Sequence, residues 1–440
     1  MIRVRMGRPV RTGLLATWLL SSALCAALPA PHDVAGPPTA AAEFEQSRRE
    51  LRAARHGADW NQYYRAALRL QRLLPDAPNA LLELARADAK RGMRADAIGT
   101  LERYAGLGEG GDLLALSPDF ELLRGAQGWD AVQRRLEANR VAVDHGRDLF
   151  SLPDAKLLTE DVDFDAHSGR YFFTSVRQHE ILSVDASGRS LSFAASPDGW
   201  PMLAVKVDSA HRRICATEVA LAGFAGVSEA SAGRSAVACY HIDTGERIFR
   251  LEPPEPTALG DLALLGNGDL IASDGGHGRL YRVDVAHGTI TLIDARHFVS
   301  PQTPAVDAAD RYAYVPDYVR GIARLDLKTG RVQWLHSEGH HALAGIDGLY
   351  LHRHTLIAVQ NGTVPQRVVA LQLDSSGRRI VGEHIIERNS LALGTPTHGV
   401  LMGRYFDYIT NSGWDFIDDH GAATPGAEAT APRLRRYDLQ

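Results

Sequence analysis

Six times after residue 150 the chain repeats one short pattern: a leading residue, usually polar, then small or apolar residues, a turn, and a second apolar run. The unit starts are Glu160-Asp161-Val162, Leu203-Ala204-Val205, Asp261-Leu262-Ala263, Gln302-Thr303-Pro304, Asp347-Gly348-Leu349 and His398-Gly399-Val400. The second runs include Tyr171-Phe172-Phe173-Thr174, Leu270-Ile271-Ala272-Ser273 and Leu356-Ile357-Ala358-Val359. A third strand ends in an acid and a turn, as in Ile242-Asp243-Thr244-Gly245 and Leu325-Asp326-Leu327-Lys328-Thr329-Gly330. Short strands repeating every roughly forty to sixty residues predict a β-propeller with one small sheet per unit. Six starts predict six blades over residues 146–440. The sixth unit offers three strands, His398–Met402, Tyr405–Asn411 and Arg433–Leu439. Asp148–Leu152 is the candidate for its outer strand, a closure that removes an exposed sheet edge.

The N-terminal 1–30 carry the pattern of a signal peptide. Arg3, Arg5, Arg8 and Arg11 precede the apolar run Leu14–Leu28, which is too short and too interrupted to span a bilayer. The expectation is an exported protein, periplasmic or extracellular, with no transmembrane span. Residues 31–42 read as a Pro/Ala linker. Residues 43–145 read as a helical domain: Leu81, Leu84, Ala85, Gly92, Ala97, Leu101 and Tyr104 have the spacing of a tetratricopeptide-like hairpin, with a weaker repeat before it. Such helices can bind a protein partner in a groove or cap the propeller. The cap is preferred, because two repeats make little groove. Gly106-Leu107-Gly108-Glu109-Gly110-Gly111 follows a helix instead of a strand, so it reads as a loop and not a phosphate cradle. The net charge of −5 is spread without long runs of one sign, which implies neither nucleic acid nor an anionic membrane as partner. Beyond the leader two cysteines remain, Cys215 and Cys239. The drawn register does not set them opposite, and a disulfide and two buried thiols both stay open.

In a propeller the innermost strands line a central channel. Strands within a blade are antiparallel, so the start of the first and the end of the second lie at one mouth. Three long connections after second strands, Val219–Arg234, Gly362–Gln366 and Ser412–Ala431, are expected to surround it. The polar leaders Glu160, Asp261, Gln302, Asp347 and His398 converge there, with Asp161 beside the first. Carboxylates gathered near one axis repel unless they are protonated or bind a cation. Their oxygens suit a hard divalent ion, or else they tie down backbone groups and fix blade registry. The run His336–His341 reads as a solvated loop, Asp274, Asp317 and Asn411 as turn caps, and Trp414 as rim packing. No serine lies in a G-x-S-x-G elbow, which disfavours an acyl-serine hydrolase.

On these motifs the propeller resembles the SMP-30/gluconolactonase/luciferin-regenerating family. Glu160 stands at that family's first-blade Glu, Asp347-Gly348 at its Asp before Gly, and Pro301-Gln302-Thr303 where the family has Pro-Asn-Gly. The resemblance implies one divalent metal (Ca²⁺, Mg²⁺, Mn²⁺ or Zn²⁺) held by Glu160, Gln302 and Asp347. It implies lactone opening with Asp347 as general base, and Asp161, Asp261 and His398 positioning a small-molecule substrate in the channel. The alternative is a non-catalytic propeller and tetratricopeptide scaffold that binds a protein or small-molecule partner.

Overall fold

The computed structural model describes residues 37–418 and 420–439, so the leader expected over 1–30 lies outside the described residues. Among these, the strands form six sheets, and the protein is a six-bladed β-propeller preceded by helices. Each blade runs outward from its axial strand. The axial strands are Val162–Asp165, Met202–Asp208, Leu259–Leu264, Ala305–Val306, Ile346–His352 and Gly399–Met402. They contact one another in a closed cycle, the last touching the first. Ring closure follows the sequence expectation: Arg147–Ser151 pairs antiparallel with Arg433–Asp438 as the outer strand of the sixth blade. The fifth blade is larger than the sequence implied. Val143–Asp144 pairs antiparallel with its outer strand Arg379–Arg388, and His336–Ser337 pairs with that strand in parallel. The propeller's sheets therefore begin to recruit chain at Val143, inside the segment assigned to the helices.

Alternating burial builds the core between neighbouring blades. Leu349, Leu356, Ala358, Val369 and Leu371 of the fifth blade pack with Tyr314 and Ile322 of the fourth. Cys215 and Cys239 lie directly opposite each other in the second blade, with Cα atoms 4.0 Å apart, and form a disulfide. This corrects the register drawn from sequence. Directly opposed residues of a non-hydrogen-bonded antiparallel pair are the more closely spaced of the two pair types, which favours such a bridge.

The main helices are α1 (Ala40–His56), α2 (Trp60–Leu73), α3 (Pro78–Lys90) and α4 (Arg94–Gly106), two antiparallel hairpins, followed after a one-turn helix (Leu113–Leu116) and a 3-10 helix (Pro118–Leu123) by α5 (Trp129–Ala138). Helix α1 starts at Ala40, capped by the Thr39 hydroxyl, so the linker ends sooner than residue 42. Gly92 turns between α3 and α4 at φ +78°, where a side chain would be strained. Ala85 and Ala97, both fully buried, let the two helices approach closely. Among the described residues no helix is long and apolar enough to cross a membrane.

The helices pack on the propeller. Val299 and Ala344 belong to the apolar cluster of α1 to α3, and Ala342 to that of α3 to α5. The glycine-rich run after α4 has a packing purpose. The fully buried guanidinium of Arg367 donates to the carbonyls of Leu107 and Gly108 and to Gln360 Oε1. A Cβ on Gly108, at φ +83°, would stand 2.5 Å from Arg367 Nη1. Glu109 accepts the Val364 amide on the same loop.

Candidate metal centre

Two β-bulges aim the carboxylates. In the fifth blade Ile346 pairs with Gln360 and Gly348 with Val359, so Asp347 is the extra, unpaired residue at the channel mouth. In the third blade the register shifts between Leu259 and Asp261. A bulge bends its strand and re-aims a side chain. Gly348 is needed for close approach: a Cβ there would lie 2.8 Å from the Tyr350 hydroxyl and 3.3 Å from the His398 ring.

The result is a cavity of about 210 Å³ lined by Glu160, Asp261, Gln302, Asp347, Asn361 and Trp414, among others. Glu160, Asp347 and His398 each offer one ligand atom, all within 4.8 Å of one another. Two donors to one ion can be no farther apart than twice the bond length, about 4.2–5.2 Å for usual distances. The trio meets that limit for bonds of about 2.4 Å or longer, and for a smaller ion the side chains would close by a few tenths of an ångström. Each carboxylate has one oxygen held and one left over. Trp414 Nε1 donates to Glu160 Oε2, and Asn361 Nδ2 donates to Asp347 Oδ2 at 2.6 Å. Glu160 Oε1 and Asp347 Oδ1 take no hydrogen bond among the described residues. Gln302 lines the same cavity. Its amide nitrogen donates to the carbonyl (3.2 Å) and hydroxyl (3.1 Å) of Ser300, so its oxygen is the end without a bond.

His398 is the hub. Its Nδ1 lies 3.0 Å from the Glu160 carbonyl oxygen and 4.0 Å from Glu160 Oε1. Its Nε2 lies 2.9 Å from the Thr303 hydroxyl and 3.2 Å from Asp261 Oδ1, and that hydroxyl donates to Asp261 at 2.6 Å. Burial works against charge on this ring, but Asp347, Asp161 and Asp261 outweigh it and push the imidazole up to about 10. Burial, and then Asp261, push Asp347 up to about 6, against the pull of His398 and Asn361. Burial and Asp347 hold Glu160 well above the usual carboxylate range. Without a cation the site thus keeps protons, with imidazolium as its internal counter-charge. A histidine raised from 6.5 stabilises the fold fully below that pH and loses the contribution as pH climbs through its folded value. Metal-free protein is therefore expected to lose stability between pH about 6.5 and about 10. Denaturant melts across that range should show the slope in the wild type and not in His398→Gln; identical slopes would contradict the assignment.

Asp161 does not join the group. It is fully buried, and its Oδ2 accepts the Val205 amide (3.0 Å) and Lys206 Nζ (2.5 Å), while Oδ1 accepts the Val162 amide. It ties the first blade to the second through the Val205 amide and Lys206. Asp317 caps its turn through the amides of Val319 and Arg320 and holds those of Val299 and Ser300 at the entry to its blade, and Asp274 caps its own turn through two amides. His341 pairs with Glu383, away from the mouth. Sequence reasoning gave no role to Thr303, Asn361 or Tyr318. Asn361 and Tyr318 follow directly on second strands, and the topology that located the mouth places them at it.

Two of the long loops meet over the cavity. Phe224 from the first and Trp414 from the last pack edge to face, with centroids 6.4 Å apart. Trp414 is thus rim packing, as expected, and also a hydrogen-bond donor to Glu160.

No protein-family model matches the chain, and no curated protein matches it. Solved structures of similar fold include a gluconolactonase from Xanthomonas campestris, 12% identical with a TM-score of 0.46, covering 68% of this chain and 92% of that one. A luciferin-regenerating enzyme is 12% identical with a TM-score of 0.45, covering 64% and 92%. Virginiamycin B lyase from Staphylococcus aureus is 12% identical with a TM-score of 0.42, covering 67% and 88%. At these identities the likeness is one of propeller fold, and the site stands on its own geometry.

Proposed function

We propose that the axial cavity holds one divalent cation on Glu160, Asp347 and His398, with Gln302 beside them, and that the protein is a hydrolase of the lactonase type. The observation that carries this reading is the close approach of two carboxylates, each with an oxygen that keeps no partner, to the ring of His398, which lies behind the cavity wall and would exchange one of its hydrogen bonds for the ion. The donor chemistry fits: two carboxylate oxygens and one imidazole nitrogen suit Mn²⁺ or Zn²⁺ better than an all-oxygen set would. The reaction class comes from the motif resemblance at Glu160 and Asp347-Gly348.

When bound, such an ion supplies Lewis-acid polarisation of a carbonyl. The chain's own residues do the rest. Asp347, oriented by the Asn361 amide, would act as general base on water. Asp261, Gln302 and Ser300 offer hydrogen bonds to substrate hydroxyls. Trp414 covers the cavity and excludes bulk water. The reading extends to export: Cys215 and Cys239 pair in the fold, and structural disulfides belong to oxidising compartments. A scaffold that only docked proteins would not require Trp414 and Asn361 to orient the two carboxylates.

The test is turnover of a panel of sugar and acyl lactones by the full-length protein with Mn²⁺, Zn²⁺, Ca²⁺ or Mg²⁺. Turnover that disappears with chelator and returns with cation is expected; none with any ion contradicts the reading. Trp414→Phe keeps the ring and removes the donor to Glu160. It is expected to weaken cation affinity about 10-fold, the usual scale for losing a partner of a metal ligand. Calorimetric titration checks that value.

A further inference from the structure

The axial cavity and the crevice beneath the helices share two residues. Tyr318 and Val319, on the turn after Asp317, line the cavity on one side. On the other they line a crevice with Leu70, Leu74, Ala77 and Ala80 of the helical repeats. Val319 also packs against the apolar cluster of those helices. The Tyr318 ring lies on Gly362, where an added Cβ would come within 2.7 Å of its Cζ and hydroxyl. Its hydroxyl donates to Asn361 Oδ1 at 3.0 Å, and Asn361 Nδ2 donates to Asp347 Oδ2 at 2.6 Å and to the Pro396 carbonyl at 3.1 Å.

We propose that Tyr318 is a positioning residue through which the helical repeats set Asp347, making the helices a working wall of the site. The helices fix the turn, the phenol fixes the Asn361 amide, and the amide holds one Asp347 oxygen so that the other faces the cavity. Every link is a direct contact or a hydrogen bond. The role given to Asp347 rests on the cation-site reading above; the relay itself is a matter of geometry. A helical domain that served only to recruit a partner would have no reason to reach the cavity wall.

The test uses full-length protein and Mn²⁺ alone as probe. Tyr318→Phe keeps the ring and removes the donor, and is expected to weaken Mn²⁺ about 10-fold. Leu74→Ala, a change on the helical side remote from the ligands, should shift affinity in the same direction. The double variant should lose less than the sum of the two, because both act on one path. Unchanged affinity in either single variant, or strictly additive losses, overturns the proposal. A crystal structure of metal-free Tyr318→Phe separates this claim from the cation reading. Asn361 is expected to leave Asp347 Oδ2, and an Asn361 that stays in place refutes the relay even if the wild type binds no ion.

Discussion

Asp347→Ala is expected to weaken divalent-ion binding by about 100-fold or more and to lower lactone turnover by about 10²- to 10⁴-fold. The substitution removes a ligand atom and the general base together, and nothing nearby replaces either. Asp261 is turned toward Thr303 and His398. The same position leaves a thermodynamic signature. Because burial raises Asp347 to about 6, the native metal-free state keeps a proton that the unfolded chain releases near pH 4. Stability therefore falls as pH rises between these values. Asp347→Asn should remove that part of the slope, and a saturating cation should reverse it by taking the proton's place. Calorimetric titration and denaturant melts of both variants check these outcomes. Full cation affinity in Asp347→Ala would contradict the donor set.

Asp161→Ala is expected to do the opposite: a large loss of stability with little change in cation affinity. Lys206 Nζ bonds Asp161 at 2.5 Å, and both side chains are shielded from water. Removing one partner strands the other as a buried charge, which costs about 3–5 kcal/mol. The Val205 amide also loses its acceptor, and with it one of the ties between the first two blades. If Asp161→Ala instead spared stability and abolished substrate binding, Asp161 would belong to the site after all.

The six-fold architecture was legible because each blade repeats the same alternation of apolar runs and turns, which survives without any local detail. The convergence of Glu160, Asp261, Gln302 and Asp347 was legible too, since strand topology alone puts unit starts at one mouth. The direction of each side chain was not. Glu160 and Asp161 are neighbours, yet one faces the cavity and the other the next blade, because successive residues at a strand start point opposite ways. The bulge that leaves Asp347 unpaired has no sequence mark beyond Gly348. His398 looked like a substrate contact, and its place as hub depends on Thr303 and Asp261 arriving from two other blades. Cys215 opposite Cys239 needed a register that pattern matching leaves one residue adrift. The glycines at 106–111 looked like a motif without a purpose until Arg367 was seen to fill the space they leave.

The claim on which the functional account rests is that one cation sits among Glu160, Asp347 and His398. Anomalous diffraction from crystals of the full-length protein soaked in Mn²⁺ tests it most directly. The account predicts a single strong peak within about 2.0–2.6 Å of donor atoms from all three residues. No peak in the cavity at saturating Mn²⁺, or a peak bound elsewhere while both ring nitrogens of His398 keep their partners, would contradict it.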